Sequence, residues 1–574
     1  MKTLFSRIRL RPRQLACLAE LVLISAVGQM TLPALLSEMI GNGVSLGSRR
    51  AVWALAAIMA AVTLTSCAVN LASVRIAADV STDFASRLRG ELFASVQRLS
   101  SAELDRFGTA SLVTRSTSDV VNVQNFLSML LRIGLLAPMM AAAGLAFSAA
   151  TGGKLSSVLL VAAPLLIVAL SAVAMLAARH SVRLRKKLDA LNGLFLESLE
   201  GVRVIRAFNR QDASRARFES ANAAYAQTAI AAGRVGALLL PLINAIFGVT
   251  TAAVLGLGAV YVSRGEMDAA ALVANSQYIS MVLTSVIMLS LVIMMFPTSY
   301  ACAGRIAEVL EAQPGVAGGD YPFERRPLRG ALEFRHVTFA YPGADEPILK
   351  DVSFEARPGE VVAIIGGTGR GKSSILKLIP RLYDPLFGEI LIDGVNIREY
   401  RLEDLRSLIG YVPQKSALFS GDVASNLNLG RADGGEADWA RAARIACAEE
   451  FIEARPERYH APIAQGGANL SDGQRQRVAI ARALMKRAEI YVFDDSFSAL
   501  DPKTERRLRE NLRAQTNGAT IVMVAQRIGS IMDADRILVV DDGRIVAQGT
   551  HAELLKSCAL YREIAQIQLG KEAV

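Results

Sequence analysis

A chain of 574 residues with 52% hydrophobic residues and a mean hydropathy of +0.33 is too apolar for an ordinary soluble or disordered protein. Its formal charge of +10 invites nucleic acid, but the basic residues sit elsewhere in the pattern: Lys2, Arg7, Arg9, Arg11 and Arg13 precede the first apolar run, and Arg183, Arg185, Lys186 and Lys187 follow the fourth. That asymmetry orients membrane helices and argues against nucleic acid as a partner.

The N-terminal apolar run is too long for a signal peptide and shows no small-residue cleavage site, so it is expected to be retained. Six apolar segments follow one another at about 15–40, 51–75, 125–150, 155–179, 233–262 and 268–298. Each is long enough to cross a hydrocarbon core, which takes about 20 residues as helix. The loops near 41–50, 151–154 and 263–266 are short, with only Arg49, Arg50, Lys154 and Arg264 as basic residues. Those at about 76–124 and 180–232 are long, Arg-rich and free of proline, and they read as helical continuations into the cytosol. An even number of spans places both termini on that side.

Glu20 and Arg132 fall inside apolar runs, where a charge faces a bundle interior, pairs or snorkels. Met281, Met288, Met294 and Met295 give the last segment an adaptable thioether surface, or plain core packing. Cys17, Cys67, Cys302, Cys447 and Cys558 show neither disulfide nor zinc spacing. Residues 312–330 carry the Pro, Gly and charge of a linker, and beyond them strand-like and helical stretches alternate, as in an α/β domain. The expected domains are therefore 1–311 in the membrane, a linker at 312–330, and a nucleotide-binding domain at 331–574.

The buried-strand run Val361 to Ile365 leads into Gly366-Gly367-Thr368-Gly369-Arg370-Gly371-Lys372-Ser373, and Ser374 continues into a helical stretch. This is G-x-x-x-x-G-K-[ST] in strand–loop–helix context. The glycines let backbone N–H groups wrap phosphates, Lys372 reaches the β/γ-phosphates, and Ser373 ligates Mg²⁺. A second strand, Ile490 to Phe493, ends in Asp494-Asp495, and Asp494 suits the Mg²⁺ shell. Between them lies Leu470-Ser471-Asp472-Gly473-Gln474, with Arg475, Gln476 and Arg477 read as the start of a helix.

Together these motifs resemble the ABC transporter superfamily, and the domain order is similar to its exporter half-transporters, over nearly the whole chain. The resemblance implies a six-helix membrane domain followed by an α/β P-loop domain, with ATP and Mg²⁺ as ligands. It implies that Tyr341 stacks on adenine and that Gln414 links Mg²⁺ to the membrane domain. It makes Ser471, Gly473 and Gln474 part of the signature, and Ser498-Ala499-Leu500-Asp501 the D-loop. Leu104 to Gly108 and Glu200 to Phe208 resemble coupling segments, expected near 100–110 and 203–213.

Three positions depart from the family pattern. Asp495 stands where the family has a catalytic Glu, Gln526 where it has a switch His, and Asp472 where the signature has Gly. Asp is one methylene shorter than Glu, so its carboxylate retracts by about 1.5 Å, and a misplacement of 1 Å can cost on the order of 100-fold in rate. Gln526 can hydrogen-bond a γ-phosphate but cannot carry an imidazole's proton. With Tyr341, Lys372, Ser373 and Asp494 in place, the site is expected to bind ATP and hydrolyse it poorly.

The altered pair, with Gln465-Gly466-Gly467 ahead of the signature, is similar to the degenerate-site subunit of heterodimeric bacterial exporters. That resemblance implies a bacterial inner-membrane location with cytoplasmic termini. It also implies a partner half-transporter carrying Glu and His at these two positions, and an amphipathic or hydrophobic drug or lipid as substrate. A homodimeric exporter or flippase, and an ATP-gated regulator that does not transport, are the alternatives.

Overall fold

The computed structural model describes residues 12–152, 155–321, 329–516 and 518–569. Lys2, Arg7, Arg9, Arg11, Lys154 and part of the expected linker lie outside them. The chain divides into two compact units: one from the described residues of Met1–Gln97 with Ala110–Glu311, the other from Arg98–Thr109 with Ala312–Val574.

The first unit is helical. It contains α1 (Pro12–Glu38), continued by a π-helical turn at Met39–Val44, and α2 (Arg49–Arg98). Helix α3 (Ser101–Phe107) interrupts the order and belongs to the second unit. Then come α4 (Thr109–Thr114), α5 (Val120–Gly152), α6 (Ser156–Glu200), α7 (Val202–Ala207), α8 (Gln211–Ala237), α9 (Leu239–Ser263) and α10 (Ala269–Glu311). Among the described residues, six helical stretches are long and apolar enough to cross a membrane. Helix α2 runs unbroken for 50 residues, so the apolar segment and its polar continuation form one rod. Large side chains such as Trp53 and Leu64, 77% and 72% exposed, line its surface, as a lipid-facing helix requires. Glu20 and Arg132 are likewise exposed.

Two apolar clusters hold the helices together. Ala26 and Met30 of α1 pack with Met140 of α5 and Tyr278 of α10, and Leu166 of α6 packs with Ile246 of α9 and Leu283 of α10. Below α5 a π-helical turn at Arg115–Asp119 adds a residue to the spiral and aims Asp119 at α10. There Arg305 donates to both carboxylate oxygens of Asp119, at 2.8 and 2.6 Å, and Arg115 donates to the Arg305 carbonyl and to Glu308.

The second unit carries strands β1 (Leu332–Phe339), β2 (Leu349–Ala356) and β3 (Val361–Gly366), then α11 (Lys372–Leu378). Next are β4 (Phe387–Ile392), β5 (Val395–Asn396), α12 (Leu402–Ser407), β6 (Ile409–Val412) and β7 (Gly421–Asp422). A helical stretch holds α13 (Val423–Asn428), α14 (Glu436–Ile445), α15 (Glu449–Glu453), β8 (Pro462–Ile463) and α16 (Asp472–Met485). The chain closes with β9 (Ile490–Asp494), α17 (Pro502–Gln515), β10 (Thr520–Val524), β11 (Arg536–Asp541), β12 (Arg544–Gly549), α18 (His551–Ser557) and α19 (Ala559–Leu569).

The larger sheet has the order β12-β11-β3-β10-β9-β6, parallel except at the β12 edge, and the smaller is β2-β1-β4-β5. Strand β3 is apolar throughout because both faces are covered. Val361, Ala363 and Ile365 enter the core under the helices, while Val362 and Ile364 enter the core beneath the smaller sheet. Register then sets the site. Gly366 pairs with Val540, and Asp494 with Val524, so the carboxyl ends of β3, β9, β10 and β11 lie side by side.

Candidate nucleotide site

The phosphate loop leaves β3 at Gly366. Gly369 and Gly371 take φ of 77° and 94°, in the left-handed region that disfavours side chains, and a Cβ on Gly371 would come within 2.7 Å of Leu349. Helix α11 starts at Lys372, whose Nζ donates to the carbonyls of Gly366 at 2.9 Å and Gly367 at 2.6 Å. Burial pushes the Lys372 ammonium below its usual range, against the pull of Asp495 and Asp494. Arg370 reaches back to Asp541 at 3.3 Å, and Thr368 is exposed.

Ser373 Oγ donates to Asp494 Oδ1 at 2.7 Å. Burial raises Asp494 above the ordinary carboxylate range, while Ser373, Lys377 and Lys372 oppose the shift. Hydroxyl and carboxylate oxygens in contact, with the carboxylate under-compensated, fit a hard cation such as Mg²⁺. Ser373 and Asp494 would hold the ion, with Gln414 close by through its hydrogen bond to Asp495.

Asp495 follows β9 with φ of 49°, in the left-handed region. Its N–H donates to Val524 O and its carbonyl accepts from Ser498 Oγ. Its carboxylate accepts from Gln526 Nε2 at 2.7 Å and also from Gln414. Burial pushes the Asp495 carboxyl up, against Gln414, and Asp494 adds to the rise.

Tyr341 shares a hydrogen bond with Ser374 Oγ at 3.0 Å, and Lys377 lies over its ring. Phosphate loop, Asp494, Asp495, Gln414 and Gln526 are thus brought together. Among the described residues, no hydrogen bond joins Ser471, Gly473 or Gln474 to the phosphate loop.

The signature region corrects one expectation. Helix α16 begins at Asp472, three residues earlier than Arg475. Ser471 is its N-cap, and Ser471 and Gln474 cap each other's backbone N–H groups. Asp472 stands on the first turn, 76% exposed, where an acid is favourable, and its carboxylate pairs with Arg475. Gly473 lies against the D-loop: a Cβ there would meet Ala499 O at 3.1 Å. Asp501 is the N-cap of α17, accepting from Thr504 N.

Two participants carry no motif signal. Gln568 of α19 receives the Ile528 N–H at 2.7 Å and donates to the Gln526 carbonyl at 2.8 Å, bracketing the segment after β10. Tyr383 packs edge-on to Tyr341, with centroids 5.3 Å apart, and its hydroxyl donates to Asp105 of α3 at 2.5 Å.

Comparison with known proteins agrees with this geometry. The pattern of the family described as ABC transporter transmembrane region matches residues 15–301, and that described as ABC transporter matches 349–498. This chain belongs to the ABC transporter family. An uncharacterized ABC transporter ATP-binding protein of Mycobacterium tuberculosis is 38% identical over 571 residues, covering 98% of this chain and 97% of its own. An ATP-dependent lipid A-core flippase of Pseudomonas putida is 32% identical over 86% of this chain and 82% of its own. The structure of a bacterial Atm1-family ABC exporter with ATP bound superposes with a TM-score of 0.79 at 27% identity, covering 98% and 99% of the two chains. The chain is therefore a multi-pass ABC exporter half-transporter, with six membrane-capable helices ahead of an ATP-hydrolysing α/β domain.

Proposed function

We propose that this chain is the degenerate-site half of a heterodimeric exporter in a bacterial inner membrane, with both termini cytoplasmic. Its membrane domain is taken as 1–311, its linker as 312–330, and its nucleotide domain as 331–574. Its own Walker residues bind MgATP, and hydrolysis there is slow. Its signature, with Ser471, Gly473 and Gln474, completes the partner's site, where Glu and His carry out most of the hydrolysis. ATP closes the paired nucleotide domains, and closure drives the helices from inward- to outward-facing through its differential affinity for the two states.

The observation that carries this reading is the Asp495–Gln526 pair. A short carboxylate is held at 2.7 Å by a neutral amide, beside the phosphate loop and the Ser373–Asp494 contact. The substrate is read as amphipathic or hydrophobic, a drug or a lipid. An apolar cavity of about 260 Å³ in the membrane unit, lined by Leu170, Ile243, Ile287 and Met294 among others, supports that class.

Purifying the chain alone and with a co-encoded half-transporter tests the proposal. The pair is expected to hydrolyse ATP and the lone chain to bind it with little turnover. Equal turnover by both would favour a homodimer, for which the lipid A-core flippase relatives are the supporting observation. Substrate flux in vesicles separates either from a non-transporting regulator.

A further inference from the structure

We propose that Tyr383 is a positioning residue that transmits adenine occupancy at Tyr341 to helix α3. The proposal rests on the reading of Tyr341 as the adenine platform and of the chain as an ATP-driven exporter.

The link is continuous. Tyr341 is fixed at its edges: Phe339 meets it T-shaped at 5.0 Å and 73°, Tyr383 at 5.3 Å and 88°, and Ser374 Oγ holds its hydroxyl. Tyr383 in turn packs on Phe339 at 5.6 Å. Only 6% of Tyr383 is exposed, so its ring position follows that of its neighbours. Its hydroxyl crosses to α3, where Asp105 accepts at 2.5 Å.

A phenylalanine would satisfy the aromatic packing equally well. The hydroxyl is what reaches across, and a phenol donating to a carboxylate makes one of the stronger hydrogen bonds. Burial, and then Asp105 itself, push the Tyr383 phenol up, so it remains a donor at physiological pH.

Helix α3 is built to receive such a signal. Ser100 caps it with Glu103 as the reciprocal partner, Glu103 also accepts from the Gly315 backbone, and Ala102 packs on the core beneath the smaller sheet. Seven residues long, it lies in the chain between α2 and the 43-residue helical stretch Thr109–Thr151, so whatever positions α3 acts covalently on both. Stacking on Tyr341 favours one placement of its ring, and Tyr383 carries that preference to Asp105. By linkage the placement of α3 then sets adenine affinity in return.

The test uses the full-length protein assembled with its membrane partner in nanodiscs, spin-labelled to report the inward-to-outward change. The concentrations of MgATP and of magnesium tripolyphosphate that half-complete the change are compared. In the wild type ATP is the better ligand. Tyr383→Phe and Asp105→Asn are each expected to reduce its advantage over tripolyphosphate by about 5- to 10-fold. The double variant should be no worse than either single one, and Tyr383→Phe should add nothing in a Tyr341→Ala background.

An unchanged ratio in Tyr383→Phe overturns the relay. So does an equal shift for both ligands, since that is the mark of a purely structural role. A wild type that does not respond to ATP at all would sink the exporter reading, and the relay with it.

Discussion

Two neighbouring sets of strand ends in one sheet carry different residues. At the end of β3, the loop from Gly366 to Ser373 carries the phosphate-loop glycines, with Lys372 behind it and Ser373 on Asp494. At the ends of β9 and β10, Asp495 and Gln526 hold each other instead of presenting a long carboxylate and an imidazole. Strand register keeps the two sets of strand ends adjacent, so on the proposed reading the chemistry differs from the family pattern without a change of fold. On the proposed reading, binding and hydrolysis are separable properties of one site. A ligand that only binds can still shift a conformational equilibrium.

The comparison breaks first at Lys372. Lys372→Ala removes the charge that faces the phosphates and should weaken ATP binding by about 100-fold, read by titration with a fluorescent analogue. If binding persists, the phosphate loop after β3 is not what holds the nucleotide. At the ends of β9 and β10, Asp495→Glu with Gln526→His should raise hydrolysis at this chain's own site by roughly 10- to 100-fold, assayed with the partner's site disabled. No gain would place the defect elsewhere.

Smaller effects sharpen the picture. Arg305→Met leaves the buried Asp119 carboxylate without its partner. The cost should be on the order of 2 kcal/mol, below that of a fully buried pair because Arg305 is 44% exposed, and seen as a lowered melting temperature. Nucleotide affinity should stay unchanged, since the pair lies in the other unit. Asp472→Gly should change the assembled pair's turnover by less than about 2-fold, because that carboxylate is engaged with Arg475 and exposed.

The architecture was legible because its signals are long: six apolar runs, and a phosphate loop between a buried strand and a helix. The Arg475 start for α16 missed because the capping box Ser471-x-x-Gln474 was read only as recognition chemistry, although it is also a helix signal. Tyr383 and Gln568 had no signal to find. Tyr383 meets a partner 278 residues away, and Gln568 acts by bonding to backbone groups, which leave no trace in the pattern of side chains.

Gln568 also bears on how the protein is handled. The segment carrying Gln526 is bracketed on its backbone by the amide of Gln568, near the end of the last described helix. Proteolysis that removes Gln568 would therefore act on the segment carrying Gln526 as well as on the tail. A handle placed at the amino terminus leaves that clasp alone, and a preparation trimmed at its carboxyl end should be checked for turnover before its kinetics are compared with those of the whole chain.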